Sequence, residues 1–598
     1  MEIFIQRVAE IAAGVLGVDA DAVAPHLRVP DPEHGDVALP CFPWAKQLRE
    51  PPPEIAARVA EALDAAAGLQ ARAAGPYVNV RFDAAAVVAA VLPEIRSRGL
   101  EYGHSDEGGG AHVVIDFSSP NIAKPIAFHH IRSTAVGAAL GNLHRALGYT
   151  PVGINYLGDW GKQFGLLALG FQRFGDEARL AAEGIRYLVE LYARANLAAK
   201  GDEAQGAAPE AGFDDAAREL FQKMEQGDED VLALWKRFRE VSLLEFQRIY
   251  DRLGVRFEHI EGESRYAGVL DATVDRVADT CGVKTSEGAL VAAMEYSDDE
   301  PPFMLRKGDG ATLYGTRDLA AAIDRRERFA FAKSLYVVGN QQALYFGQLF
   351  RCLAAMGFDW AERCMHVGFG TVLKKKPDAS RKDGFALERF ATRRGEVIYL
   401  EEVLGEAVSK AREIMRETNP DLGNPDEVAE QVGVGAVLFM EHSHRRAKDV
   451  AIEVDENDDI LWEKLIDFKG QTGPYLQYAH ARSCSILRKG GGAPGVGEVD
   501  LTPLTHEAEI ALVKELGGYP ADIRRAVDEL EPALLSERLI AIGRSVSHYY
   551  TLGNQDRSLR VLCDDEATRA ARLCLVDAVR IVLAGGLALL GIPAPERM

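Results

Sequence analysis

The stretch Ser118-Ser119-Pro120-Asn121-Ile122-Ala123-Lys124-Pro125 continues into Ile126-Ala127-Phe128-His129-His130-Ile131-Arg132-Ser133-Thr134. It follows a short apolar run, His112–Phe117, and opens a long helical pattern, His129–Gly148. A helix mouth presents unpaired N–H groups and the positive end of the dipole, which suit phosphate. Lys124, His129, His130 and Arg132 add cationic or hydrogen-bonding groups there. A triphosphate cradle fits this set; the plain alternative is an ordinary strand–helix loop with locally satisfied histidines. A second chemistry is acidic. Asp116 closes the first strand, and Tyr314 and Asp318 stand four apart in Gly308–Asp318, on one helical face. Gly339-Asn340-Gln341-Gln342 ends another strand pattern. Carboxylates and amides at strand ends could hold a planar guanidinium, which wants paired acceptors. Surface loop polarity is the alternative for each cluster alone.

Three further clusters are weaker. Tyr156–Gly165 places three glycines and Asp159 where a sheet-top ligand site would lie. Lys374, Lys375, Lys376, Arg381, Lys382, Arg389, Arg393 and Arg394 form a basic stretch, either a solvated surface or a cationic loop over phosphates. Tyr475, Tyr478 and Arg482 recur at i, i+3 and i+7, a stripe that could stack on unpaired bases or pack in a core. His442 and His444 are two apart, which on a helix turns them away from each other and rejects a metal pair.

The elements that must position these groups follow from periodicity. Residues 1–105 form a small α+β module, with helices over Gln6–Leu16 and Pro53–Ala66 and a strand at Tyr77–Phe82. Residues 106–399 alternate strand and helix: His112–Phe117, Pro151–Tyr156, Ser334–Val338, Gln341–Met356 and Met365–Val372. That pattern predicts a Rossmann-like parallel sheet, interrupted by insertions at about 166–235 and 262–310. Asn196–Phe213 reads as a flexible loop, and Asp230–Val241 as a helix presenting Val231, Leu234, Trp235 and Phe238. Residues 400–598 read as all-helical, without strand alternation.

Composition bounds the rest. The 598 residues are 47% apolar and 26% charged, as in a soluble globular protein, and the net charge of −22 disfavours a sequence-indifferent polyanion binder. A local basic groove remains compatible with that body. Glu10 interrupts the N-terminal apolar stretch, so no export signal is expected. The longest apolar run, Ile581–Ile592, falls short of the roughly 20 residues a bilayer needs. Seven scattered cysteines without a Cys-x-x-Cys pair suggest free thiols in a reducing cytoplasm, and no zinc site is expected.

Together these clusters, in this order, resemble the class I arginyl-tRNA synthetase family over nearly the whole chain. Asp31–Asp36 with Gly75–Tyr77, Leu157–Gly165, Leu313–Asp318, Gly339–Gln342, Thr392–Gly395, Gly473–Arg482 and the ending Ala594–Met598 carry the likeness. It implies a tRNA-elbow-binding module, a Rossmann-like catalytic domain and a helical anticodon-binding domain. It further implies an ATP-dependent ligase that makes arginyl-adenylate and passes arginine to the 2′ hydroxyl at the 3′ end of tRNA(Arg), generally needing tRNA for activation. By the same resemblance, Asp116, Asn121, Tyr314, Asp318 and Gln342 hold arginine. Lys124, Ala127, His129, His130, Thr392 and Arg393 meet ATP, with Lys124, His130, Thr392 and Arg393 catalytic. Tyr77, Asn79, Tyr475, Tyr478, Arg482 and Met598 meet tRNA. ATP arrives with Mg²⁺, no protein-bound metal is implied, and the expected state is a cytoplasmic monomer without membrane contact.

The signature His-x-Gly-His reads Ala127-Phe128-His129-His130 here. A histidine replacing the glycine either crowds the adenine or stacks on it. These changes leave open a second reading, a tRNA-binding paralogue with weak or no arginine activation. A third, a ligase passing arginine elsewhere, fits the tRNA-side motifs poorly.

Overall fold

The computed structural model describes residues 1–201, 208–297, 300–308, 313–378, 380–382, 384–389, 398–495, 497 and 499–598. At the N-terminus, β1 (Val37–Pro40), β2 (Leu69–Ala74) and β3 (Tyr77–Phe82) form an antiparallel sheet in the order β1-β3-β2. β3 alternates as its sequence predicts: Val78, Val80 and Phe82 are buried, while Tyr77 and Arg81 face solvent. Helices Glu2–Leu16 and Pro52–Asp64 close the buried face with Val8, Ala12, Ile55 and Val59.

The central sheet is built from β4 (His112–Asp116), β5 (Thr150–Leu157), β6 (His259–Gly262), β10 (Lys333–Tyr336) and β11 (Cys364–His366). These strands are all parallel, in the order β11-β10-β4-β5-β6. Val113, Val114 and Ile115 are buried, as expected of a central strand covered on both faces. The chain proceeds from β4 to β5 and β6 on one side, and later adds β10 and β11 on the other. The order therefore reverses between β4 and β10, the place where open α/β sheets bind ligands beyond their carboxyl ends. Asp116 ends β4 there, and Gly339–Gln342 follows β10.

Three smaller facts differ from the sequence reading. The 262–310 region holds a meander of β7 (Val283–Ser286), β8 (Ala289–Ala292) and β9 (Met304–Arg306). Residues 196–200, expected in a loop, continue helix Ile185–Lys200, as alanine-rich sequence favours. Downstream, β12 (Val372–Pro377) pairs with β13 (Phe385–Arg389) and, in parallel, with β14 (Val450–Glu453). β14 lies in the stretch expected to be all-helical; four residues are too few for alternation to register.

The remaining C-terminal elements are helices: Leu400–Thr418, Pro425–His442, Gly473–Lys489, Glu507–Asp528, Ala533–Gln555 and Glu566–Leu589, with a short turn at Trp462–Leu465. Most of the apolar run from Ile581 is buried in the last of these. Among the described residues no helix is long and apolar enough to cross a membrane. A buried ion pair, Arg132–Glu441 at 2.9 Å, ties helix His130–Ala146 to helix Pro425–His442.

Candidate active site

The loop after β4 is held in an unusual backbone. Ser118, Ser119 and Ala123 have φ of 68°, 49° and 59°, left-handed values that non-glycine residues seldom adopt. Surrounding hydroxyls fix it. Ser118 N–H donates to Ser133 Oγ at 2.9 Å, Ala123 N–H to Ser242 Oγ at 2.9 Å, and the Ser118 and Tyr250 hydroxyls lie 2.8 Å apart. Asn121 then pairs with Gly158 as a parallel bridge. A Cβ at Gly158 would come within 2.0 Å of Asn121 Oδ1, so the glycine leaves room for the Asn121 amide in this orientation.

Beyond this loop lies a cavity of about 340 Å³ lined by Asn121, Lys124, Ala127, His129, His130, Tyr192 and Tyr399, among others. It gathers four expected nucleotide residues, Lys124, Ala127, His129 and His130. Lys124 is exposed, with Nζ 5.7 Å from the Tyr192 ring centre. The His129 and His130 rings stack at 4.3 Å. Burial pushes His130 down to about 4 and also lowers His129, so at neutral pH both are uncharged hydrogen-bonding groups. Arg132, also expected at this mouth, turns away: it is fully buried against Glu441 and donates to the Lys448 carbonyl at 2.7 Å. Thr392 and Arg393 lie outside the described residues, as do Arg394 and residues 309–312 of the Gly308–Asp318 motif. Lys374, Lys375 and Lys376 sit on β12 and pair with Asp458 and Glu453.

The acidic pocket adjoins β4. Asp116 accepts from Ser119 Oγ at 2.8 Å and pairs with Arg325 at 2.8 Å. Tyr314 and Asp318 open helix Tyr314–Phe329. Asp318 accepts from the Tyr345 hydroxyl and makes no salt bridge among the described residues. Burial pushes its carboxyl up to about 6; Tyr345 opposes the rise, nearby Asp116 adds to it, and Arg325 and Arg317 pull it back. Gln342 is exposed immediately before helix Ala343–Ala355, three residues ahead of Tyr345. Tyr314 is half exposed, its ring 5.1 Å from that of Tyr345.

Four neighbours complete this pocket; the sequence reading passed over Glu263, Tyr345 and Arg325 and named Tyr156 only as the end of a strand and the start of the Tyr156–Gly165 cluster. Glu263 follows β6 inside a presumed insertion; burial lifts it to about 7, against Arg317 at 3.7 Å. Tyr156 holds a buried hydroxyl without a hydrogen-bond partner. Tyr345 and Arg325 complete the set; Arg325 stands seven residues after Asp318, a same-face spacing that could have flagged it. Asp159, by contrast, serves the scaffold. Its buried carboxylate accepts from Ser264 N–H and Oγ at 2.9 Å and from Arg239 at 3.2 Å.

Two surfaces lie apart from this centre. Tyr77 and Asn79 share one face of β3 with Arg81, and the Tyr77 ring meets Phe42 edge-on at 5.6 Å. In the helical part, Tyr478, Arg482 and Met598 line a cavity of about 600 Å³ with Arg488, Lys489 and Arg597. Tyr475 does not join them. It is 8% exposed against 43% for Tyr478, and its hydroxyl meets Ser547 Oγ at 2.9 Å.

Comparison with known proteins covers the chain from end to end. A family described as tRNA synthetases class I (R), catalytic domain, matches residues 93–453. The DALR anticodon binding domain matches 476–598, and the arginyl tRNA synthetase N terminal domain matches 2–82. The arginine–tRNA ligase of Lactococcus lactis subsp. cremoris (strain SK11) is 41% identical over 586 residues, 98% of this chain and 97% of that one. The arginine–tRNA ligase of Streptococcus equi subsp. equi (strain 4047) is 40% identical over 592 residues, 99% of each. The solved arginyl-tRNA synthetase of Thermus thermophilus superposes with a TM-score of 0.79 at 25% identity, covering 99% of both chains.

Proposed function

Because the chain belongs to the class I arginyl-tRNA synthetases, we infer that its two adjoining pockets divide one reaction between them. The enzyme is an ATP-dependent aminoacyl-tRNA ligase. The arginine carboxylate attacks the α-phosphorus of ATP, pyrophosphate leaves, and arginyl-adenylate remains. A ribose hydroxyl at the 3′ end of tRNA(Arg), by family resemblance the 2′ hydroxyl, then takes the arginyl group and AMP leaves. No side-chain nucleophile is needed; positioning and charge stabilisation carry the catalysis. Nothing in the comparisons favours a tRNA-binding paralogue that does not activate arginine.

In our reading, Asp318 receives the substrate guanidinium. Asn121, Tyr314 and Gln342 orient the rest of the amino acid, and Asp116, held by Arg325, forms the pocket floor. ATP, with Mg²⁺ as part of the nucleotide substrate, lies over Lys124, Ala127, His129 and His130, and by family resemblance Thr392 and Arg393 meet its phosphates. Lys124 is the fixed cation and His130 a neutral donor to the phosphates. Residues 1–105 carry Tyr77 and Asn79 to the tRNA elbow, residues 106–399 do the chemistry, and residues 400–598 read the anticodon with Tyr478, Arg482 and Met598. Tyr475 supports that face from within. We further propose a cytoplasmic monomer.

One observation carries this division: Asp318, an acid without a salt bridge among the described residues, faces Asp116 at the end of β4, and the loop that follows β4 carries Lys124 into its cavity, both at the reversal point of the sheet. The test is arginine-dependent ATP–pyrophosphate exchange with and without tRNA(Arg). Exchange that needs both arginine and tRNA is expected; tRNA binding without any exchange would overturn the reading.

A further inference from the structure

Helix Tyr314–Phe329 brings two residues to the acidic pocket, not one. Asp318 and Arg325 are seven apart, two turns along the same face. Arg325 is 1% exposed. Its Nη2 lies 2.8 Å from Asp116 Oδ2, and its guanidinium carbon lies 5.0 Å and 5.6 Å from the Tyr156 and Tyr336 ring centres. Its buried Nε and Nη2 have no hydrogen-bond partner, so the contact with Asp116 is an ion pair without hydrogen-bond geometry. A buried, incompletely satisfied ion pair contributes little to stability compared with apolar residues of the same volume. Its location beside the substrate acid gives it a function.

We propose that Arg325 is a positioning residue for arginine recognition: an internal guanidinium that occupies Asp116, so that of the two aspartates only Asp318 receives the substrate's guanidinium. The inference rests on the assignment of Asp318 made above. Asp318 is faced by Arg317 and Arg325 from its own helix, Asp116 from β4, Tyr156 from β5, Glu263 after β6, and Tyr345 from helix Ala343–Ala355. The two cations in that set have separate partners, since Arg317 lies 3.7 Å from Glu263. Without Arg325, the Asp116 and Asp318 carboxylates would share one site with no fixed counter-charge between them. Two carboxylates so placed cannot both ionise easily, and one retains a proton into the neutral range. A protonated acid is a poor acceptor for a guanidinium, so substrate affinity would become dependent on pH.

The experiment is the pH profile of the arginine KM in tRNA aminoacylation by the full chain. In Arg325→Leu the inflection moves upward by about one pH unit or more, so KM is at least roughly threefold higher near pH 6.5 and the gap closes toward pH 8.5. The ATP KM stays the same. Asp116→Asn, which frees Arg325, moves the inflection the other way. The double variant Asp116→Asn/Arg325→Leu returns it toward the parent. If Arg325→Leu fails to fold, as judged by its thermal melt, Asp116→Asn and the double variant carry the test. An inflection that stays in place in Arg325→Leu or Asp116→Asn overturns the proposal, as does a double variant displaced as far upward as Arg325→Leu. Asp318→Ala separates the two levels. If it leaves the arginine KM unchanged, the assignment of Asp318 falls; if it raises KM while these profiles do not move, only the role of Arg325 falls.

Discussion

The cavity under Lys124 and the pocket around Asp318 share one sheet edge and treat buried polarity in opposite ways. On the phosphate side, burial removes charge: His130 sits near 4, His129 is lowered, and Arg132 is withdrawn to Glu441. Lys124 remains as the exposed cation among neutral donors. On the acid side the two carboxylates differ: Asp116 is paired with Arg325, whereas burial lifts Asp318 to about 6 with a tyrosine hydroxyl as its hydrogen-bond partner. A site for a highly charged nucleotide is thus lined mostly by neutral groups. A site for a single cation is built from a net acidic set. Asp318, without a salt bridge among the described residues, is the group whose charge the ligand complements.

The contrast can be broken most sharply at Asp318. Asp318→Ala removes a charge-assisted hydrogen bond and should raise the arginine KM by about 3 kcal/mol equivalent, roughly a hundredfold, in steady-state aminoacylation. An unchanged KM would take Asp318 out of the pocket. Lys124→Ala should cost about 2 kcal/mol in kcat/KM for ATP in pyrophosphate exchange, leaving the arginine KM in place. Equal losses toward both substrates would merge the two pockets into one.

A third prediction uses the tyrosine pair as a sharper version of the same lesson. Tyr478→Ala should weaken tRNA by about 1 to 2 kcal/mol, the scale of one lost base stack, with the melting temperature unchanged. Tyr475→Ala should lower the melting temperature instead, because it empties a core site. Tyr475 and Tyr478 stand three residues apart, about 60° around a helix, and that rotation separates core from cavity.

The smallest effect concerns pH. Protonation of Asp318 removes its charge, so the arginine KM should worsen as pH falls through about 6 and level off above it. His130 is neutral throughout that window, so the ATP KM should show no matching step. A step near pH 6 in the ATP KM would mean that a histidine there carries charge.

Much of this was legible in the residues. The strand–loop–helix around Asn121 to His130, the Tyr314/Asp318 face and the alternation of β3 all follow from local spacing. Glu263 was not legible as a site residue, because its partner Arg317 lies on a helix far along the chain; the spacing of Arg325 from Asp318 was legible, but its pairing with Asp116 on β4 was not. Histidine neutrality was also hidden, since desolvation depends on what packs above the loop, here Tyr192 and Tyr399. β14 escaped for a simpler reason: Val450–Glu453 acquires strand character only by lying beside β12.

The most direct measurement sets Asp318→Ala and Lys124→Ala side by side in tRNA-dependent pyrophosphate exchange, reading the arginine KM and the ATP KM of each. The division of labour predicts that Asp318→Ala moves only the arginine KM and Lys124→Ala affects only the use of ATP. A crossed result, with Lys124→Ala weakening arginine as much as Asp318→Ala does, would contradict it.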